Sequence, residues 1–219
     1  MKITFLAHAS FLIETANKVR IITDPYQAGC YNNALGYQPI NEPADIVLVS
    51  HDHADHNCLT DVSGNPKVIN APGDWTVQDI KITGINSYHD TEKGAARGKN
   101  IVFVIETDGL RIVHLGDLGH GLAESDYEKI RPVNVLLSPV GGFFTIDSKV
   151  ATEMLNCLKP DITIPMHYKT SVLDFPIAKV EEFIKDKKNV KQINNSQIEL
   201  SKDTLPKTPE IWVLKMARE

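Results

Sequence analysis

The stretch that decides the reading runs Asp45-Ile46-Val47-Leu48-Val49-Ser50-His51-Asp52-His53-Ala54-Asp55-His56. Its first half is a continuous apolar, β-branched run, the pattern of a strand buried on both faces. Its second half places four metal-ligand types, His51, His53, Asp55 and His56, within six residues at the mouth of that strand. Alternation along extended chain sends the His51 and His53 imidazoles the same way, toward one ion, and turns Asp52 the other way as a loop stabiliser. Asp55 and His56 come where a turn of the chain brings them to a second ion close by. Imidazole with a little carboxylate suits zinc first, and iron, manganese or nickel less strongly. A catalytic ion needs further ligands, and three residues stand where they would come from. His89, Asp117 and His167 each follow a predicted strand, and strand-end loops are where α/β enzymes build their sites.

Working outward, apolar runs at 3–6, 10–15 and 18–22 read as antiparallel strands closed by Asp24-Pro25. Further strands are expected at 80–88, 101–107, 111–115, 133–139, 161–165, 198–200 and 211–214, with Asp108-Gly109 as a hairpin turn. Helical spacing appears at 145–158, with Asp147 as the N-cap. It appears again after Asp174 and Pro176, where Ile177, Val180, Phe183 and Ile184 form an apolar face that runs into a Lys-rich stretch. Residues 26–44 show no periodicity, and so long a loop is usually functional or mobile. No low-complexity linker intervenes, so one α/β domain over residues 1–219 is expected.

Composition narrows the function. The 219 residues carry 23 Lys+Arg against 28 Asp+Glu, a net charge of −5 with no block of like charge. That argues against nucleic acid or an anionic membrane as a partner held by bulk charge. No apolar run reaches the roughly 18 residues of a membrane span, and the opening segment lacks a signal peptide's apolar core. Cys30, Cys58 and Cys157 are odd in number and widely spaced, which suits a reducing compartment, and the expected address is cytoplasmic. Cys58 reads as a small buried residue rather than a ligand.

Taken together, these motifs resemble a metallo-β-lactamase-fold hydrolase. His51-x-His53-x-Asp55-His56 matches that superfamily's signature, and His89, Asp117 in His-Leu-Gly-Asp, and His167 in Pro-Met-His-Tyr match later motifs in the same order. Asp24 in Thr-Asp-Pro matches the aspartate that precedes the signature. The strings around His8, Gly98, His114 to His120 and Pro139 to Gly142 resemble a branch related to ascorbate-phosphate lactonase and, more remotely, to N-acylphosphatidylethanolamine phospholipase D.

The resemblance implies a four-layer αββα sandwich of α/β class, with two divalent metal ions on one edge. His51, His53 and His89 would hold one ion, and Asp55, His56 and His167 the other. Asp117 would bridge, and a water between the ions would be acidified to serve as nucleophile. The implied reaction is hydrolysis of an ester, lactone, thioester or phosphodiester of a small molecule, possible phosphorylation included. A nuclease or phosphodiesterase acting on nucleic acid or phospholipid, and a di-iron redox protein, are the alternatives within the fold. The chain shows neither the clamping arm of the first nor the flavodoxin domain of the second. Related enzymes often associate, so a homo-oligomer is expected.

Other residues carry narrower expectations. Asp24 is read as accepting hydrogen bonds from the metal loop or a ligand imidazole. His8 and Lys169 are candidate substrate contacts, and Tyr168, Arg97 and Lys99 are further candidates for a substrate anion. His120 is placed with Asp55 and Asp117 in catalysis, as donor to the leaving group. His114, on a strand, reads as a core histidine.

Overall fold

In the computed structural model, which describes residues 1–219, sixteen strands follow one another along the chain. They are β1 (Lys2–Ala7), β2 (Ser10–Glu14), β3 (Arg20–Thr23), β4 (Glu42–Pro43), β5 (Ile46–Leu48), β6 (Val62–Ser63), β7 (Lys67–Ile69) and β8 (Gly73–Val77). The series continues with β9 (Ile80–Tyr88), β10 (Lys99–Thr107), β11 (Leu110–His114), β12 (Val135–Pro139), β13 (Ile162–Met166), β14 (Val190–Ile193), β15 (Gln197–Glu199) and β16 (Glu210–Leu214). One sheet has the order β15-β1-β2-β3-β5-β7 and the other β14-β16-β13-β12-β11-β10-β9-β8, while β4 and β6 pair separately.

Period-two alternation assigns the faces of the first sheet. Ile3, Phe5, Phe11, Ile13, Ile21 and Ile46 point into a core shared with the second sheet, where they meet Ile82, Phe103 and Ile112. Leu6, Leu12, Ile22 and Val47 point outward and are covered by Tyr26, Leu35, Tyr37 and Ile40. The outer layer on that side is therefore the irregular 26–44 segment; its one short turn, Cys30–Asn33, has Tyr31 and Asn32 in left-handed conformation. Helices cover the second sheet instead. Glu124–Ile130, Ser148–Leu158 and Val180–Ile184 send Tyr127, Ile130, Ala151, Met154, Leu158 and Phe183 onto it.

Asp147 caps the longest helix by accepting the backbone N–H groups of Lys149 and Val150 at 3.0 and 2.9 Å. The helix expected after Pro176 begins only at Val180, because the chain before it bonds across the fold. The Ala178 N–H donates to Gly141 O, and Ala178 O accepts from Lys169 N–H. No helix is long and apolar enough to cross a membrane.

Strand direction builds the site. β1 and β3 each run antiparallel to β2, and β5 runs parallel to β3, so β1, β3 and β5 end at one edge. By the same logic β9, β11, β12 and β13 are mutually parallel. His8 follows β1, Asp24 follows β3, Ser50 and His51 follow β5, His89 follows β9, Asp117 follows β11 and His167 follows β13.

Candidate metal centre

These loops converge on Asp117. Its Oδ2 lies 3.2 Å from His89 Nε2, 3.3 Å from both His56 Nε2 and His167 Nε2, and 3.9 Å from His51 Nε2. One carboxylate oxygen does not accept four imidazole donors, but two donors held by one tetrahedral ion at about 2.1 Å are spaced roughly 3.4 Å apart. Two donor groups surround that carboxylate. His51, His53 and His89 form one, and His8, Asp55, His56 and His167 form the other, with ligand atoms within 4.8 Å of one another in each. Asp24, His51 and His56 form a third that straddles them, through the hydrogen bonds of Asp24.

The backbone is bent to reach this arrangement. His8, Asp24 and His167 adopt left-handed conformations, at φ 57°, 40° and 51°. Each costs on the order of 1 kcal/mol for a residue with a Cβ. The Asp117 loop is flanked by Gly116 and Gly119 so that it can pass close to its neighbours. A Cβ on Gly116 would lie 2.6 Å from Ser50 Cβ, and one on Gly119 would lie 2.3 Å from the carbonyl carbon of His89.

Hydrogen bonding selects tautomers, and Asp24 is its origin. Asp24 Oδ1 accepts the Ser50 N–H at 2.7 Å, and Oδ2 accepts the Ser50 hydroxyl at 2.6 Å and His56 Nδ1–H at 2.9 Å. With its proton given to Asp24, the Ser50 oxygen is left to accept Nδ1–H of His51 at 2.9 Å. Both imidazoles thus carry their proton on Nδ1 and aim the Nε2 lone pair at the cluster. The Asp117 N–H donates to Asn100 Oδ1 at 2.9 Å, and Asn100 in turn donates to Ser87 Oγ and Leu115 O.

Seven buried side-chain polar atoms in the protein lack a partner, and six of them belong to His8, His51, His56, His89, Asp117 and His167. Unpartnered buried polar atoms are costly, so His51 Nε2, His56 Nε2 and Asp117 Oδ1 mark a place built for a cation. The unpartnered atoms of His8, His89 and His167 are instead Nδ1 atoms, not the Nε2 atoms that face Asp55 or Asp117. The ionisation states agree. Burial opposes charge on Asp117, yet His167 and His56 hold its carboxyl well below the usual range, and His56 and His8 do the same for Asp55. Burial, then the neighbouring His56, lowers His51 to about 3, leaving a neutral donor. His56 goes the other way: against burial, Asp117 and Asp55 raise it well above the usual histidine value. Without a metal, the positive charge these carboxylates require falls on His56.

A cavity of about 490 Å³ opens over the cluster. Its floor is His53, Asp55, His89, Asp117 and His167, and its wall is Tyr31, Arg97, Phe144 and Phe175. None of the aromatic wall was legible as functional; Tyr31 lies in the aperiodic loop, and Phe144 and Phe175 resemble ordinary core residues. The Tyr31 hydroxyl donates to Asp55 Oδ1 at 3.1 Å.

Several expected contacts lie elsewhere. His8 is fully buried and cannot meet a substrate directly; its Nε2–H donates to Asp55 Oδ2 at 3.1 Å. His120 is outside the cavity wall, with Nδ1 donating to Gly121 O and Nε2 accepting Tyr88 N–H, so it has no free ring proton for a leaving group. Lys169 also stands outside that wall and pairs with Asp174 at 3.3 Å. His114 is a satisfied core histidine, donating to Ala9 O and accepting from Gly116 N–H. Cys58 is half-buried in irregular chain, 3.2 Å from Thr60 Oγ1.

The family description "Beta-lactamase superfamily domain" matches residues 2–167. The chain belongs to the β-lactamase superfamily. Within it, the relatives are metal-dependent hydrolases. One from Thermococcus onnurineus is 32% identical over 199 residues, 78% of this chain and 85% of the relative. Another from Archaeoglobus fulgidus is 31% identical over 209 residues, 81% of this chain and 86% of its own. A crystal structure from Thermotoga maritima, provisionally described as a Zn-dependent hydrolase of the metallo-β-lactamase superfamily, superposes with a TM-score of 0.81. It is 38% identical and covers 98% of both chains. The chain is therefore a metal-dependent hydrolase of the metallo-β-lactamase superfamily, with that superfamily's α/β sandwich.

Proposed function

We propose that this hydrolase is binuclear and cleaves an ester, lactone, thioester or phosphodiester bond in a small molecule. The observation that carries the proposal is the division of donors into two groups, each with an imidazole close to Asp117 Oδ2: His56 at 3.3 Å and His89 at 3.2 Å. His51, His53 and His89 would hold one ion, Asp55, His56 and His167 the other, and Asp117 both, with zinc preferred to manganese, iron or nickel. Bound there, such ions supply an acidified water and a positive field for charge developing on the substrate oxygen.

The protein's own groups do the rest. Asp24 holds His51 and His56 in the tautomer that presents Nε2, and His8 holds Asp55 from behind. Burial, then Asp55, pushes the Tyr31 phenol upward, so it stays protonated as a donor at the cavity wall beside Asp55. Its one hydroxyl hydrogen goes to Asp55, so Tyr31 positions that carboxylate at the cavity wall.

The test is a screen of zinc- or manganese-reconstituted protein against p-nitrophenyl esters and phosphodiesters, lactones and thioesters. Turnover of one class, reduced to background by Asp117→Ala and lowered with binding retained by Tyr31→Phe, is the expected result. Turnover that survives Asp117→Ala would refute the reading.

A further inference from the structure

The cavity wall carries one cation. Arg97 is half-buried there, and its guanidinium carbon lies 5.6 Å from the centroid of the Phe144 ring. That places the charge over an aromatic face, within the range of a cation–π contact. No carboxylate lies within 4.0 Å of it, and its side chain makes no hydrogen bond, whereas Lys169 is neutralised by Asp174. The five donors of its fork are free for a ligand.

The backbone beneath it is fixed. Asp90 accepts the N–H groups of Glu92, Gly94, Ala96 and Arg97 itself at 2.7 to 3.0 Å. A loop anchored on one carboxylate presents the guanidinium with less conformational freedom to lose on binding. Phe144 continues the wall into Phe175, with ring centroids 5.4 Å apart and nearly edge-on, and Phe175 into Tyr31 at 5.8 Å. Such a wall offers faces and edges to a flat apolar group.

From this juxtaposition we infer that Arg97 and the Phe144–Phe175 wall select a substrate with an oxyanion attached to a flat apolar body. The oxyanion, carboxylate or phosphate-type, takes the Arg97 fork by paired N–H donation. The flat body lies against Phe144 and Phe175 and brings the scissile bond over Asp117. This rests on the hydrolase reading above, but it concerns recognition rather than the bond broken.

Calorimetric titration of zinc-reconstituted protein tests it, with bound zinc measured in every sample. The probes are phenylphosphonate and benzoate, which combine ring and oxyanion, inorganic phosphate, which lacks the ring, and benzamide, which lacks the charge. The wild type should bind an aryl oxyanion about tenfold or more tightly than benzamide, a step of one charged hydrogen-bonded contact. Arg97→Met should reduce that preference about tenfold, the share owed to the metal remaining, and leave benzamide unchanged. Phe144→Ala should weaken the aryl oxyanion and benzamide together and leave phosphate unchanged. Whichever of benzoate and phenylphosphonate loses more on Arg97→Met identifies the oxyanion. Undetectable binding of both to the wild type, or unchanged affinity in Arg97→Met with zinc retained, overturns the inference. A protein that binds through Arg97 yet hydrolyses nothing refutes the catalytic reading alone.

Discussion

Asp24 Oδ2 accepts Nδ1–H of His56 at 2.9 Å while the same oxygen takes the Ser50 hydroxyl that orders His51. One buried carboxylate thereby fixes the tautomer of two imidazoles in different donor groups, although it lies 32 residues from His56 in the chain.

Replacing Asp24 with Asn should therefore impair metal affinity rather than the fold. An amide offers one acceptor where the carboxylate satisfies three donors. Losses of about 10–100-fold are typical when such a supporting contact to a metal ligand is removed. Competition with a chromophoric chelator measures this, with far-UV circular dichroism unchanged. Wild-type affinity in Asp24→Asn would show that the tautomers are set by something else.

The close approach of Gly119 to His89 makes a second, steric prediction. Gly119→Ala forces its Cβ to 2.3 Å from a backbone carbon, so the Asp117 and His89 loops must part. A loss of about 1–3 kcal/mol in urea unfolding is expected, with reduced bound metal. Gly121→Ala is the control, since nothing lies within 4 Å of its Cβ. Equal stabilities for the two variants would contradict the packing described.

The ionisation pattern sets how metal-free protein responds to pH. Asp55 and Asp117 are depressed, so their contribution is present above the unfolded carboxylate value of about 4 and lost as pH falls through their folded values. His56 is raised, so its contribution is complete below the unfolded value of about 6.5 and lost as pH rises through its folded value. Burial lowers His8, His51, His53 and His114, so their contribution is complete only above the unfolded value of about 6.5. Chelator-stripped protein should therefore be less stable at strongly alkaline pH than near about pH 8, an effect that bound metal would remove by displacing the His56 proton. Denaturant unfolding across that range checks it. Stability of the stripped protein that climbs steadily into alkaline pH would sink the assignment.

The Asp90 loop yields a fourth. Burial opposes its charge, but the four backbone donors, Arg97 N–H foremost, lower the Asp90 pKa from 3.8 to about 2. The anchorage is thus present above about pH 4 and lost as pH falls toward 2. Asp90→Ala should accelerate amide hydrogen exchange at Glu92, Gly94, Ala96 and Arg97 at neutral pH. Unaltered protection there would mean that the loop is held by other contacts.

Much of the site was legible because its chemistry is concentrated in residue type and spacing. The run from His51 to His56 announces metal ligation, and His89, Asp117 and His167 stand at strand ends readable from apolar runs. The short strands β7, β8 and β14 were not, since three to five residues without clean alternation carry too little periodicity. The outer layer of the first sheet was missed for a different reason: Tyr26, Leu35, Tyr37 and Ile40 cover it from an aperiodic loop, by tertiary contact alone. His8 looked like a substrate contact because sequence shows that it follows a strand, not that Asp55 closes over it. Arg97, Phe144 and Phe175 come from separate loops, and only folding brings them to one wall.

The most direct measurement is the metal content of purified protein, by plasma mass spectrometry, for the wild type and Asp117→Ala. Two divalent ions per chain in the wild type, and at most one in Asp117→Ala, are predicted. Absence of stoichiometric metal from wild-type protein even after reconstitution, or two ions retained without Asp117, would contradict the binuclear centre.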